Sequence, residues 1–195
     1  MTEPMAPLPL PLPLPLAQTP SQTIGPFFAF GLPYEGGPQL VPGHSPLAIR
    51  LHGTVFDGDG APIPDALVEI WQADERGALP VALGSRARDG YTFTGFGRVA
   101  TTRAGDYSFT TVKPGPVDGK APYVLVTVFA RGLTHHLFTR AYFDDETDLN
   151  TADALLAGLS ADRRSTLVAV SEPSGSYRFD IRVQGERETV FLEFS

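Results

Sequence analysis

The residues able to do acid–base or metal chemistry are few and scattered. Four histidines stand at His44, His52, His135 and His136, in a chain with no cysteine. A transition-metal site needs imidazoles, thiolates or carboxylates spaced so that they converge on one point. His135 and His136 are adjacent, so on a strand they face opposite sides of the sheet and do not chelate one ion. His44 lies among prolines and glycines and His52 inside a strand pattern, so no chelating pair emerges. No Gly-x-Ser-x-Gly elbow marks a nucleophilic serine. Gly58-Asp59-Gly60 and Gly95-Phe96-Gly97 are too short to cradle phosphate and read as turns. Asp144, Asp145, Glu146 and Asp148 form an acidic patch that reads as a solvated loop, because no spaced cation-binding loop accompanies it. Two arginines stand out: Arg131 follows an apolar strand pattern and Arg140 sits inside one. Each is either paired structurally or holds an anionic ligand.

The elements that must carry these groups are strands. Glycine and proline, 20 and 19 of the 195 residues, give a turn-heavy composition that points to an all-β chain. Alternating or β-branched runs predict strands over residues 47–56, 66–72, 106–112, 122–129, 136–143, 165–170, 177–183 and 189–194. Residues 122–129 are nearly continuously apolar and are expected deep in the core, as is Trp71. One helix is expected over residues 151–159, with Thr151 as its N-cap and Asp153 in its first turn. Residues 73–97 show no period. The pattern predicts a β-sandwich with an irregular N-terminal arm and one short helix in a late connection. Strand–helix alternation is missing, which excludes a parallel α/β fold.

Three segments follow from composition. Residues 1–17 form a leader in which Pro-Leu alternates five times from Pro7 to Leu16, a polyproline-II signal expected to be disordered. Residues 18–46 are an arm punctuated by proline and glycine, whose Phe27, Phe28 and Phe30 need cover from the domain or from a partner. Residues 47–195 are the sandwich domain. A formal charge of −7 argues against a nucleic-acid surface. The lack of cysteine fits a reducing, cytoplasmic compartment, and no apolar run approaches the ~18 residues of a membrane span.

Several segments, in order, resemble the intradiol ring-cleaving dioxygenases, and most closely the alpha chain of that family's two-chain members. They are Thr-Pro-Ser-Gln-Thr-Ile-Gly-Pro-Phe over residues 19–27, Val-Glu-Ile-Trp-Gln-Ala-Asp over 68–74, Phe-Gly-Arg over 96–98 with Ala-Thr-Thr over 100–102, Thr-Val-Lys-Pro-Gly over 111–115, Phe-Ala-Arg-Gly over 129–132, Thr-Arg-Ala-Tyr-Phe-Asp-Asp over 139–145, Tyr-Arg-Phe-Asp-Ile-Arg over 177–182 and Gly-Glu-Arg-Glu-Thr-Val-Phe over 185–191. In that family a catalytic chain holds ferric iron with two tyrosines and two histidines, and dioxygen opens the bound catechol between its hydroxylated carbons. The resemblance carries the four ligand positions onto Leu79, Val117, Tyr123 and Leu125, and two further pocket positions onto Lys120 and Arg140. It therefore implies that this chain holds no metal and no catalytic residue. Fe(III) is instead bound by a homologous beta subunit in a higher alpha–beta oligomer, and this chain alone is inactive.

The same resemblance places Thr23, Gly25, Pro26, Phe27 and Arg131 in the substrate cavity, with Arg131 holding or steering an anionic ring such as 3,4-dihydroxybenzoate. Phe27 stands where a tyrosine is often found, and so lacks that hydroxyl. A stand-alone transthyretin-like β-sandwich binding module without catalysis is the alternative, since residues 53–57 and 61–66 would suit one equally well. A self-sufficient dioxygenase with replaced ligands is a second, though no other histidine or carboxylate set is visible for it.

Overall fold

The computed structural model describes residues 19–25, 27–81, 86 and 88–193, so the Pro-Leu leader and Pro26 lie outside the described residues. The strands are β1 (Ala48–Phe56), β2 (Leu67–Trp71), β3 (Phe96–Ala100), β4 (Asp106–Val112), β5 (Tyr123–Phe129), β6 (Leu137–Phe143), β7 (Val168–Glu172), β8 (Ser176–Arg178) and β9 (Ile181–Arg182). They join in one sheet of order β3-β2-β5-β6-β7-β8-β1-β4, with β9 paired to β1. The chain is mostly β, and its strands form one rolled sheet where two separate ones were expected. The join is β7, whose Val168 and Ala169 pair parallel with β6 while Val170, Ser171 and Glu172 pair antiparallel with β8.

The two strands at the ends of this path, β3 and β4, do not pair with each other. The arm fills the seam between them. Arg98 N on β3 donates to Gly37 O at 3.1 Å. On β4, Thr110 N donates to Pro38 O and Thr110 O accepts from Leu40 N, both at 2.8 Å. The approach is close enough that a Cβ on Gly37 would lie 2.5 Å from Arg98 O. The rolled sheet encloses one core, in which Leu51, Val55, Val68, Phe109, Val124, Val126, Val128, Phe143 and Ile181 are fully or almost fully buried.

Several sequence expectations shift for local reasons. The predicted helix over 151–159 is split between the end of α2 (Thr147–Ala152) and α3 (Ala154–Ala157), with α4 (Ala161–Ser165) following it. Thr151 lies inside α2, its hydroxyl donating to Thr147 O, where an N-cap was expected. Asp153 has an extended backbone and its carboxylate accepts from Leu155 N and Leu156 N, so it starts a new turn in place of continuing the old one. These pieces cover the outer face of β5 and β6 with a second cluster of Ala121, Tyr142, Leu156, Leu167 and Val190. Residues 189–193 make one bridge, Phe138 to Leu192, in place of a strand. Two threonine hydroxyls take the place of strand partners at Val190, whose N donates to Thr166 Oγ1 and whose O accepts from Thr139 Oγ1. β5 sits between β2 and β6 but buries only alternate residues, leaving Tyr123, Leu125, Thr127 and Phe129 half-buried on its other face.

Trp71 is the sharpest correction. It is 38% exposed, because the period of two that points Ala66, Val68 and Ile70 inward turns Trp71 outward with Glu69. The inward place falls to Gln72, 1% exposed. Its Nε2 donates to Val112 O at 2.8 Å and Ala73 O at 3.1 Å, and its Oε1 accepts from Thr111 Oγ1 at 2.8 Å. Gln72→Ala would remove the partner of three buried groups and is expected to cost about 1–3 kcal/mol, more than Trp71→Ala. Urea unfolding of both variants measures this, and a larger loss at Trp71 would mean that the tryptophan is the core residue.

Candidate functional site

The residues marked by sequence gather at the two ends of β5, whose Tyr123 and Phe129 are roughly 20 Å apart at ~3.3 Å per residue. At the N-terminal end, Leu79, Val117 and Tyr123 line one cavity of about 110 Å³ together with Trp71 and Lys120. Leu125 lies one step along the same face, opposite Trp71 on β2 and Arg140 on β6. The fold thus brings the four positions to one place, but the donor set there amounts to a single phenol. Among the described residues no group of three or more His, Asp or Glu could hold a metal ion. A ferric site of two tyrosines and two histidines does not fit these side chains.

The loops carrying Leu79 and Val117 are nonetheless held firmly. Asp74 Oδ1 accepts from Arg76 N at 2.9 Å and Ala78 N at 2.8 Å, and Asp74 O accepts from Gly115 N at 2.8 Å. Gly77 adopts φ 83°, and a Cβ there would run into the Pro116 carbonyl. Arg140 takes the structural role of its two options: its guanidinium lies 4.1 Å from the Tyr123 ring centroid and donates to Tyr142 Oη at 3.2 Å. Tyr142 passes the link to Asp153 at 3.3 Å, and burial pushes its phenol up from the ordinary value.

At the other end of β5, the arm meets the turn after Phe129. Gly132 N donates to Thr23 Oγ1 at 2.8 Å, and the Phe28 and Phe129 rings pack at 6.3 Å. Arg131 Nε lies 3.3 Å from Asp65 Oδ2, while the rest of the side chain projects into solvent. Asp65 is nearly buried and its other oxygen, Oδ1, has no partner. Thr23 and Arg131 therefore flank one turn. Gly25 is open to solvent, and Phe27, 81% exposed, opens α1 (Phe28–Gly31), where Phe30 is 80% exposed. Sequence reasoning missed Asp65, which sits in a turn with no motif. It also missed Arg88, whose guanidinium donates to Gly36 O, Gly37 O, Phe96 O, Thr94 Oγ1 and Tyr34 Oη at 2.7–3.2 Å and clamps the arm to the barrel.

A family model described as "Dioxygenase" matches residues 25–185. Over 193 residues the chain is 44% identical to the protocatechuate 3,4-dioxygenase alpha chain of Burkholderia cepacia, spanning 90% of this chain and 97% of that one. The chain belongs to the intradiol dioxygenases, with the protocatechuate 3,4-dioxygenase alpha chains. It is also similar to the beta chain of that enzyme from the same organism, at 28% identity over 96% of this chain and 85% of that one. Among solved structures it resembles the dioxygenase domain of a dioxygenase and carbohydrate-binding protein fusion from Streptomyces sp. SirexAA-E. The TM-score is 0.57 and the identity 26%, covering 76% of this chain and 87% of that one.

In this intradiol dioxygenase chain three members of the acidic patch, Asp144, Asp145 and Glu146, are paired, while Asp148 is exposed as expected of a solvated loop. Lys113 Nζ lies 2.8 Å from Asp145 and 2.5 Å from Glu146, and Tyr177 Oη donates to Asp145 Oδ2 at 2.9 Å. Asp144 accepts from the backbone and hydroxyl of Ser171. Burial acts to raise the Asp145 pKa, but the Lys113 and Tyr177 hydrogen bonds outweigh it and hold the carboxyl below its ordinary 3.8. Burial and the bond to Asp145 push the Tyr177 phenol up to about 12. A depressed folded pKa stabilises above the unfolded value and loses that contribution as pH falls through the folded one. Asp145→Asn is therefore expected to lower the melting temperature at neutral pH and to flatten its decline below about pH 4. Melting curves across pH 2–7 test this, and an unchanged acid limb would remove Asp145 from the account.

Proposed function

We propose that this chain is the non-iron-binding alpha subunit of a protocatechuate 3,4-dioxygenase. With a homologous beta subunit, in an oligomer of alpha–beta pairs, it cleaves 3,4-dihydroxybenzoate with O2 to 3-carboxy-cis,cis-muconate. The carrying observation is near-full-length similarity to an alpha chain combined with leucine, valine, tyrosine and leucine at the four ligand positions. Ferric iron in this reading belongs to the beta subunit and supplies the ring-opening chemistry. The complex is placed in the cytoplasm, in keeping with a chain that has no cysteine. The leader 1–17 stays outside the enzyme, the arm 18–46 reaches the partner, and residues 47–195 form the sandwich, as the two facing layers of the rolled sheet.

The residues of this chain bind and orient. Arg131 is fixed at Nε by Asp65, and its terminal amino groups are left to take the substrate carboxylate in a bidentate pair. Thr23, bonded to Gly132 N, fixes the arm beside that arginine. Gly25, Pro26 and Phe27 shape the cavity wall, where the exposed Phe27 ring meets the partner and the aromatic substrate. All of this lies at the end of β5 away from Leu79 and Val117. Such a set serves an iron site only when another chain brings the metal to it.

Two experiments test the reading. Purified alone, the chain is expected to be colourless, free of iron and inactive, and to give a coloured, active, iron-containing enzyme when co-expressed with its beta partner. Stoichiometric ferric iron and ring cleavage from the lone chain would overturn it. In the complex, Arg131→Ala should raise KM for 3,4-dihydroxybenzoate by about tenfold or more while changing that for uncharged catechols far less. Equal losses for both substrates would count against a carboxylate-holding role.

A further inference from the structure

We propose that the cavity at the N-terminal end of β5 binds a single aromatic ring on this chain, without a metal. Trp71 and Tyr123 are its aromatic walls, Leu79 and Val117 its apolar lips, and Lys120 stands at its rim. Size comes first. The hollow holds about 110 Å³, somewhat less than the apolar cavity of about 150 Å³ that takes up benzene, so it admits one ring and nothing larger.

Surface chemistry comes second. Trp71 and Leu79 are two of the large apolar side chains this protein leaves exposed, and both border the same hollow. Apolar groups left exposed around a concavity mark a ligand site more often than chance exposure does. Rigidity comes third. The lips stand on loops locked by Asp74 and by the Gly77–Pro116 contact, and Tyr123 is stacked under Arg140, so the hollow is held open where it could have collapsed. Lys120 has no ion pair among the described residues and offers a cation to a ring carboxylate, while Asp118 at the same rim favours an uncharged ring. The shared chemistry is one aromatic ring with a single polar substituent. This inference does not depend on the partner subunit.

The test uses the full-length chain in the assembly in which it purifies, with 4-fluorobenzoate and 4-fluorophenol as probes observed by 19F NMR. Saturable broadening of at least one probe is expected. Val117→Phe and Leu79→Trp, which fill the hollow from opposite lips, should each weaken it about tenfold or more with the melting temperature unchanged. Lys120→Ala assigns the substituent: loss of 4-fluorobenzoate binding alone identifies a carboxylated ring, and no effect identifies a phenol. Trp71 is the sole tryptophan of the chain. If a filled variant melts early, the fluorescence difference between the unsubstituted chain and Trp71→Phe decides instead: saturable quenching by either probe supports the site, and none overturns it. Binding of neither probe, or binding that survives both filled variants, also overturns the proposal.

Discussion

A rolled sheet whose two end strands do not meet leaves two rows of unpaired backbone groups facing each other across a gap. Exposed edges of this kind invite pairing with other chains. Here residues 36–41 close the gap, hydrogen-bonded to Arg98 N on β3 and to Thr110 on β4. Arg88 draws the arm tight by donating to carbonyls on both sides of the join, Gly36 and Gly37 in the arm and Phe96 in β3. Leu40 then drops into the core against Gly97, where a Cβ would lie 2.6 Å from its Cδ1. The arm is therefore a structural stave of the barrel first, and its functional display follows from that. Because residues 36–41 are fixed, the stretch before them is led across the surface to Gly132, which holds Thr23.

The sheet separates two kinds of chemistry along one strand. The N-terminal end of β5 is covered by the helices of the late connection and by the loops from β2 and β4, and it is lined with apolar and aromatic groups. Its C-terminal end carries a projecting cation, a hydroxyl and exposed phenylalanines, which are the components of a contact surface. A distance of roughly 20 Å along the strand is too great for one small substrate to engage both ends. Arg131 and Thr23 consequently belong to a different surface from the hollow around Tyr123.

Much of this was legible in residue order. β4 over Asp106–Val112 coincides with its predicted bounds, and β1, β5 and β6 differ by a single residue at one end. β1 and β4 alternate, β5 is β-branched and nearly continuously apolar, and turn formers bound all four. β3 was not legible. It reads Phe-Gly-Arg-Val-Ala, and its inward position holds Gly97 because Leu40 and Phe109 already occupy the space a side chain would need. Its outward Arg98 pairs with Glu69 at 2.6 Å on the neighbouring strand. Trp71 and Gln72 misled for a related reason. Hydropathy ranks the indole as core, but strand phase points the amide inward, where Val112 and Thr111 satisfy it. Arg88 left no trace in sequence, because most of its acceptors are backbone carbonyls and these carry no residue identity. The ligand positions were legible only through resemblance. Nothing in the spacing of Leu79, Val117, Tyr123 and Leu125 says that they share one place; the topology does.

Leucine and valine at the positions that the resemblance matches to metal ligands avoid the cost of the alternative. Imidazoles and phenols gathered in a partly buried hollow without their metal leave polar groups unpaired, at a cost of about 1–3 kcal/mol each. Leu79, Val117 and Leu125 carry no such cost, and the one remaining phenol, Tyr123, lies against the Arg140 guanidinium and the Tyr142 ring. The loops do not need a metal to hold them, since Asp74 and the Gly77–Pro116 contact hold them already. One histidine or tyrosine placed there would add an unpaired polar group and no site. The loop geometry at this end of β5 is thus kept by the chain's own hydrogen bonds, whatever side chains its lips carry.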